Sequence, residues 1–137
     1  MTAKEYLRQY RTLDLRVNTK LTQIEELRSL AVRLSPTARF DKAGNVTDKV
    51  GRTVSRIVDL ERELQNDIDE LVQTGEKIRR AINSLTDERL KVILELRYIK
   101  GETWGEIAYV LNYDIRHVTR LHGIALRLIK DVLECPY

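Results

Sequence analysis

Apolar residues recur at intervals of three and four along most of the chain, a spacing that belongs to helix faces rather than to strands. The first run is Leu7, Tyr10, Leu13, Val17, Leu21, Ile24, Leu27, Ala31 and Leu34. Thr2 and Glu5 precede it at capping-box spacing, where each can satisfy a free N–H at the helix start. Ser35-Pro36 is expected to end this helix, because proline lacks an N–H and restricts the residue before it. The second run is Val50, Val54, Ile57, Leu60, Leu64, Ile68, Leu71, Gly75, Ile78, Ile82 and Leu85, with Asn45 or Thr47 as its expected cap. Helices are therefore predicted near 3–34 and 48–84. Residues 35–46, with a Pro, a Gly-Asn pair and no stripe, read as the loop between them. Together they predict a long antiparallel helical hairpin, coiled-coil-like, over residues 1–85. So thin a hairpin leaves much of each stripe wet, so residues 1–85 are expected to serve as a homo-oligomerisation arm, the alternative being a monomer whose hairpin folds onto the C-terminal module.

The pattern shortens after residue 85. Thr86-Asp87-Glu88 can cap a third helix whose inner face is Leu90, Ile93, Leu94 and Tyr98, with Gly101 as its stop. Thr103 and Glu106 suggest a second capping box, opening a short helix with Trp104, Ile107, Ala108 and Leu111 facing inward. Asn112-Tyr113-Asp114 reads as a tight turn, with Asp114 able to cap the last helix. That helix carries two stripes. Val118, Leu121, Ala125, Leu128 and Val132 are expected to face a core, and Arg116, Arg120, Gly123, Arg127 and Lys130 the opposite side. Gly123 costs about 1 kcal/mol of helix propensity against Ala, which suggests either a tight helix crossing or close approach of a phosphate. A short helix, a three-residue turn and a longer helix with a cationic outer face form the pattern of a helix-turn-helix over residues 86–137.

Composition supports an all-α chain, since 6 Gly and 2 Pro in 137 residues leave few breaks for many short strands. The net charge of +3 decides little, but its distribution is informative. Residues 86–137 hold eight Lys+Arg and eight Asp+Glu, yet between Ile115 and Lys130 there are four basic residues and no acid. A DNA-binding face needs that kind of local positive potential rather than a basic total. The run Arg8, Arg11, Arg16, Lys20 in the first helix reads as an ordinary solvated face. Cys135, the one cysteine, excludes an internal disulfide framework and suits a reducing compartment. The charged start carries no signal-peptide pattern and no apolar run is long enough for a membrane span, so a soluble, cytoplasmic protein is expected. There is no Gly-rich phosphate loop, no His-Glu-x-x-His and no Cys pair, so neither an enzyme, a cofactor nor a metal is expected.

The stretch Leu90-x-x-Ile93-Leu94-Glu95-Leu96-Arg97-Tyr98-Ile99-Lys100-Gly101-x-Thr103-Trp104-x-Glu106-Ile107-Ala108-x-x-Leu111-x-Tyr113-x-x-Arg116-His117-Val118-x-Arg120-Leu121-His122-x-x-Ala125-Leu126 resembles the C-terminal region of bacterial sigma factors. It is more similar still to phage ArpU/RinA-type late transcriptional regulators, which pair a helical N-terminal part with a sigma-like end. The resemblance implies a three-helix sigma region 4-like module that binds promoter DNA beside host RNA polymerase. It implies Arg116, His117, Thr119 and Arg120 at the start of the recognition helix, and Thr103 where the preceding helix meets a phosphate. Arg127 and Lys130 lie farther along and are expected on phosphates. Asn112-Tyr113-Asp114 stands where sigma factors often have Gly-Val-Ser, which places a negative charge beside DNA. The expected function is a sequence-specific double-stranded DNA-binding phage transcriptional regulator that activates late genes. The alternatives are a small-terminase-like DNA-packaging subunit and a polymerase-binding adaptor that does not itself read DNA.

Overall fold

The computed structural model describes the backbone of residues 1–38 and 44–134, with side chains described for 1–34 and 48–133. Among the described residues the chain is all helical. Its elements are α1 (Ala3–Ala38), α2 (Gly44–Asn83), α3 (Glu88–Leu94, continued by a π-helical turn over Glu95–Ile99), α4 (Trp104–Leu111) and α5 (Ile115–Glu134). Two boundaries correct the sequence reading. Proline 36 does not stop α1, which runs to Ala38; so near a helix end, proline removes one hydrogen bond without breaking the helix. Helix α2 starts at Gly44, so Asn45 and Thr47 lie inside it rather than at its cap. Residues 39–43, the middle of the expected loop, and Cys135 lie outside the described residues.

The chain divides into two compact units, one of residues 13–70 and one of residues 1–12 with 71–137. In the 13–70 unit, Leu13, Val17 and Ile24 of α1 are buried, as are Ile57, Leu60 and Leu64 of α2. Lys20 is hydrogen-bonded to Asp67 and lies 3.8 Å from Glu63, while Arg28 and Glu61 pair at 2.8 Å. As the number rises on α1 it falls on α2, so the segments run antiparallel. Lys20 is thus no member of a solvated basic face: its side chain is 19% exposed and that of Asp67 12%. Leu21 and Val54, expected in the apolar stripes, are exposed, and Thr53 is buried beside Val54.

An ion pair in an apolar seam penalises every register that separates its members. Asp67→Ala is expected to cost about 2 kcal/mol in thermal unfolding, because it strands the Lys20 ammonium. The joint change Lys20→Leu/Asp67→Leu is expected to restore or exceed the original stability. Equal losses from the single and the joint changes would remove the pair from the account.

The other unit has one continuous core. Leu7 of α1 and Ile78, Ala81 and Ile82 of α2 join Leu85, Leu90, Ile93, Leu94, Tyr98, Ile107, Ala108, Val118, Leu121, Ala125 and Ile129. The boundary read from sequence at 85/86 falls inside this unit, since residues 1–12 and 71–85 share that core. Thr2 and Glu5 form the reciprocal capping box at 3.1 and 3.0 Å. Asp87 caps α3 by accepting the Arg89 N–H at 2.9 Å. The π turn is marked by the Lys100 N–H bonding the Glu95 carbonyl, and Gly101 then takes a left-handed φ of +76°. Any side chain there would also strike the Arg11 guanidinium, 2.6 Å from where a Cβ would stand.

Candidate nucleic-acid interface

The local sequence builds α4, the turn and α5 in three steps. Thr103 is the cap of α4, its hydroxyl oxygen accepting the Glu106 N–H at 3.1 Å. That bond uses a lone pair, so the hydroxyl proton stays available to an incoming acceptor. At the far end Asn112 adopts φ 58°, a left-handed conformation asparagine tolerates better than most residues. The Asn112 and Tyr113 N–H groups then bond carbonyls of Tyr109 and Ala108 and close the helix. Helix α5 begins at once, with the Asp114 carbonyl accepting the Val118 N–H at 3.0 Å.

The inner side of α5 fixes its orientation. Val118, Leu121, Ala125 and Ile129 are buried in the common core. Leu128, expected on that face, is exposed, and Ile129 takes its place. His122 is 7% exposed and shares a hydrogen bond of 2.6 Å with the Tyr98 hydroxyl. Its ring also meets the edge of Trp104 at 4.5 Å, and the Arg97 guanidinium lies 4.3 Å over the Trp104 ring. Trp104 and His122 are therefore packing groups that tie α5 to α4 and to the π turn. Burial pushes the His122 imidazole down to about 4, helped by the charges of Lys4, Arg97 and Arg8. Burial also raises the Tyr98 phenol above its ordinary range.

The outer side of α5 carries the sequence-predicted site residues. Arg116, Thr119, Arg120, Arg127 and Lys130 are exposed, and His117 is half-buried. Arg120 donates to His117 Nδ1 at 3.1 Å. A guanidinium has only donors, so His117 Nδ1 is the acceptor in this contact. The Tyr113 ring meets His117 edge-on at 4.9 Å and holds it from the turn side. Tyr113, in sequence only a residue of the turn, thereby positions His117, which positions Arg120. Thr119 donates its hydroxyl to the Arg116 carbonyl at 3.0 Å, which leaves only acceptor capacity outward. At Gly123 a Cβ would meet nothing within 4 Å, so no tight helix crossing accounts for that glycine.

The arrangement offers two guanidiniums near the start of α5, two further cations along it and one free hydroxyl at the start of α4. Tyr109, Val110 and Ile115 are exposed near the turn. Among the described residues no cluster of His, Cys, Asp or Glu could hold a metal ion, and no helix is long and apolar enough to cross a membrane. Comparisons with protein-family models, curated proteins and solved structures give no match to this chain.

Proposed function

We propose that the protein is a sequence-specific double-stranded DNA-binding transcriptional regulator of phage origin, working in the bacterial cytoplasm with host RNA polymerase. The observation that carries this reading is the outer face of α5: exposed cations with no acid between Ile115 and Lys130, set behind a short helix and a three-residue turn. In this reading α4 and α5 are a helix-turn-helix and α5 lies in the major groove. Arg116 and Arg120 read guanine edges, where a planar fork of donors matches the O6 and N7 acceptors. His117 adds an Nε2 donor and Thr119 an acceptor. Arg127, Lys130 and the Thr103 hydroxyl bind phosphates, which sets orientation and affinity without reading sequence. Gly123 lets the backbone come close to the duplex.

Tyr109 and Val110, 88% and 60% exposed on α4, favour a protein partner beside the DNA, which suits contact with polymerase. Self-association through residues 1–85 completes the proposal, since paired modules reading paired half-sites raise specificity. Footprinting on a selected site, with and without polymerase, tests the reading. Protection by the protein alone, extended when polymerase is added, is the expected result. Protection only with polymerase present would leave the adaptor role, and ring assemblies in light scattering would favour packaging.

A further inference from the structure

The antiparallel segments of the 13–70 unit use one face of α2 on each other and leave a second face mostly uncovered, with Ile68 half-buried on it. The used face holds Thr53, Ile57, Leu60, Leu64 and Asp67, all buried. Each residue of the second face follows a member of the first by one position, about 100° round the helix. Along it lie Val54, Val58, Glu61, Gln65 and Ile68. Val54 and Val58 are about half exposed, at 47% and 49%. Leu21 is exposed too, and it follows Lys20 as Ile68 follows Asp67, so it borders the same face.

The order of side chains on this face reads alike in both directions. Val58, Glu61, Gln65 and Ile68 are spaced three, four and three apart, giving apolar, polar, polar, apolar about a centre at residue 63. We infer that this face docks on the same face of a second copy, with the two α2 helices antiparallel about a two-fold axis. It supplies a surface for the self-association proposed above and rests on that part of the reading, not on DNA binding. In this register Val58 packs on the partner's Ile68, and Glu61 lies opposite the partner's Gln65. Both polar groups have capacity to spare. Glu61 accepts from Arg28 through one oxygen, and the Gln65 amide gives one proton to Asp69. The second amide proton can go to the partner's Glu61, twice over by symmetry. A parallel register would instead oppose Glu61 to the partner's Glu61 and Gln65 to its Gln65, leaving the spare amide proton without that carboxylate, so hydrogen bonding favours the antiparallel arrangement. Arg28, the cation that borders this face, is already paired with its acid Glu61, which argues against a nucleic acid as the occupant.

The test uses the full chain with Cys135→Ser, so that only introduced thiols react. Sedimentation should give a dimer at tens of micromolar. Val58→Lys/Ile68→Lys should stay helical by circular dichroism and dissociate about 100-fold more readily, because each added ammonium would be buried against an apolar partner. Chains carrying Glu61→Cys and chains carrying Gln65→Cys should form disulfide-linked dimers when mixed and oxidised, and neither should do so alone. A monomer at all concentrations overturns this interface and self-association together. A dimer indifferent to the two lysines, with no cross-link on mixing, overturns this surface while self-association stands. Cross-linking of the Glu61→Cys chain with itself overturns the antiparallel register.

Discussion

Acidification from pH 7 to pH 4 is expected to remove up to about 3 kcal/mol of stability from the unit that contains α5, through His122 alone. In the unfolded chain this imidazole titrates near its ordinary 6.5, whereas in the fold burial and the neighbouring Lys4, Arg97 and Arg8 push it down to about 4. The folded state thus holds it neutral where the unfolded state binds a proton. The stabilisation is complete above pH 6.5, falls as pH drops towards 4, and changes no further below that. Urea unfolding followed across this range should show the slope in the original chain. His122→Gln, which keeps a polar group facing the Tyr98 hydroxyl, should lower stability at neutral pH but flatten the slope between pH 6.5 and 4. An unchanged slope in that variant would assign the acid sensitivity to other groups.

The second large effect concerns recognition. Arg116→Ala/Arg120→Ala is expected to lose about 2–6 kcal/mol of affinity for a selected duplex, at about 1–3 kcal/mol for each guanidinium, and to relax base preference at two positions. Arg127→Ala or Lys130→Ala should weaken all sequences alike and lower the salt slope by about one per phosphate contact. His117→Ala should act through Arg120, since it frees the guanidinium from the 3.1 Å contact that orients it. Its effect should therefore shrink, to the loss of its own Nε2 donor, in a chain already carrying Arg120→Ala. Fluorescence anisotropy at several salt concentrations separates these cases, and Glu95→Ala, on the exposed side of the π turn, should bind as the original does.

Much of this arrangement was legible in the spacing of residues. The capping box of Thr2 and Glu5, the inner face of α3, the turn at Asn112 and the outer cations of α5 all follow from local rules that tertiary contacts leave alone. Several of the misses on helix faces share one physical source, which is phase. A repeat of three and four averages 3.5 residues, whereas a straight helix needs 3.6, so a stripe extended by rule drifts off its face. By the fourth turn of α5 the core side belongs to Ile129, and Leu128 is left in water. Where an apolar residue stands next to a polar one, hydrophobicity and phase point to different faces. Leu21 and Val54 thus outrank Lys20 and Thr53 by hydrophobicity alone, and spacing gives no sign of the ion pair with Asp67. The π turn left no periodic trace. The path from Tyr113 through His117 to Arg120 does have a signal, their spacing of four and three, but in sequence it coincides with a turn and a stripe.

The central claim, that the outer face of α5 reads double-stranded DNA, is tested most directly by letting the full-length protein choose from a random pool of duplexes. Successive rounds of capture should converge on one motif containing guanines, and the chain with Arg116→Ala/Arg120→Ala should fail to enrich it. A pool that stays random after capture by a folded protein, or the same motif recovered by both chains, would contradict the claim.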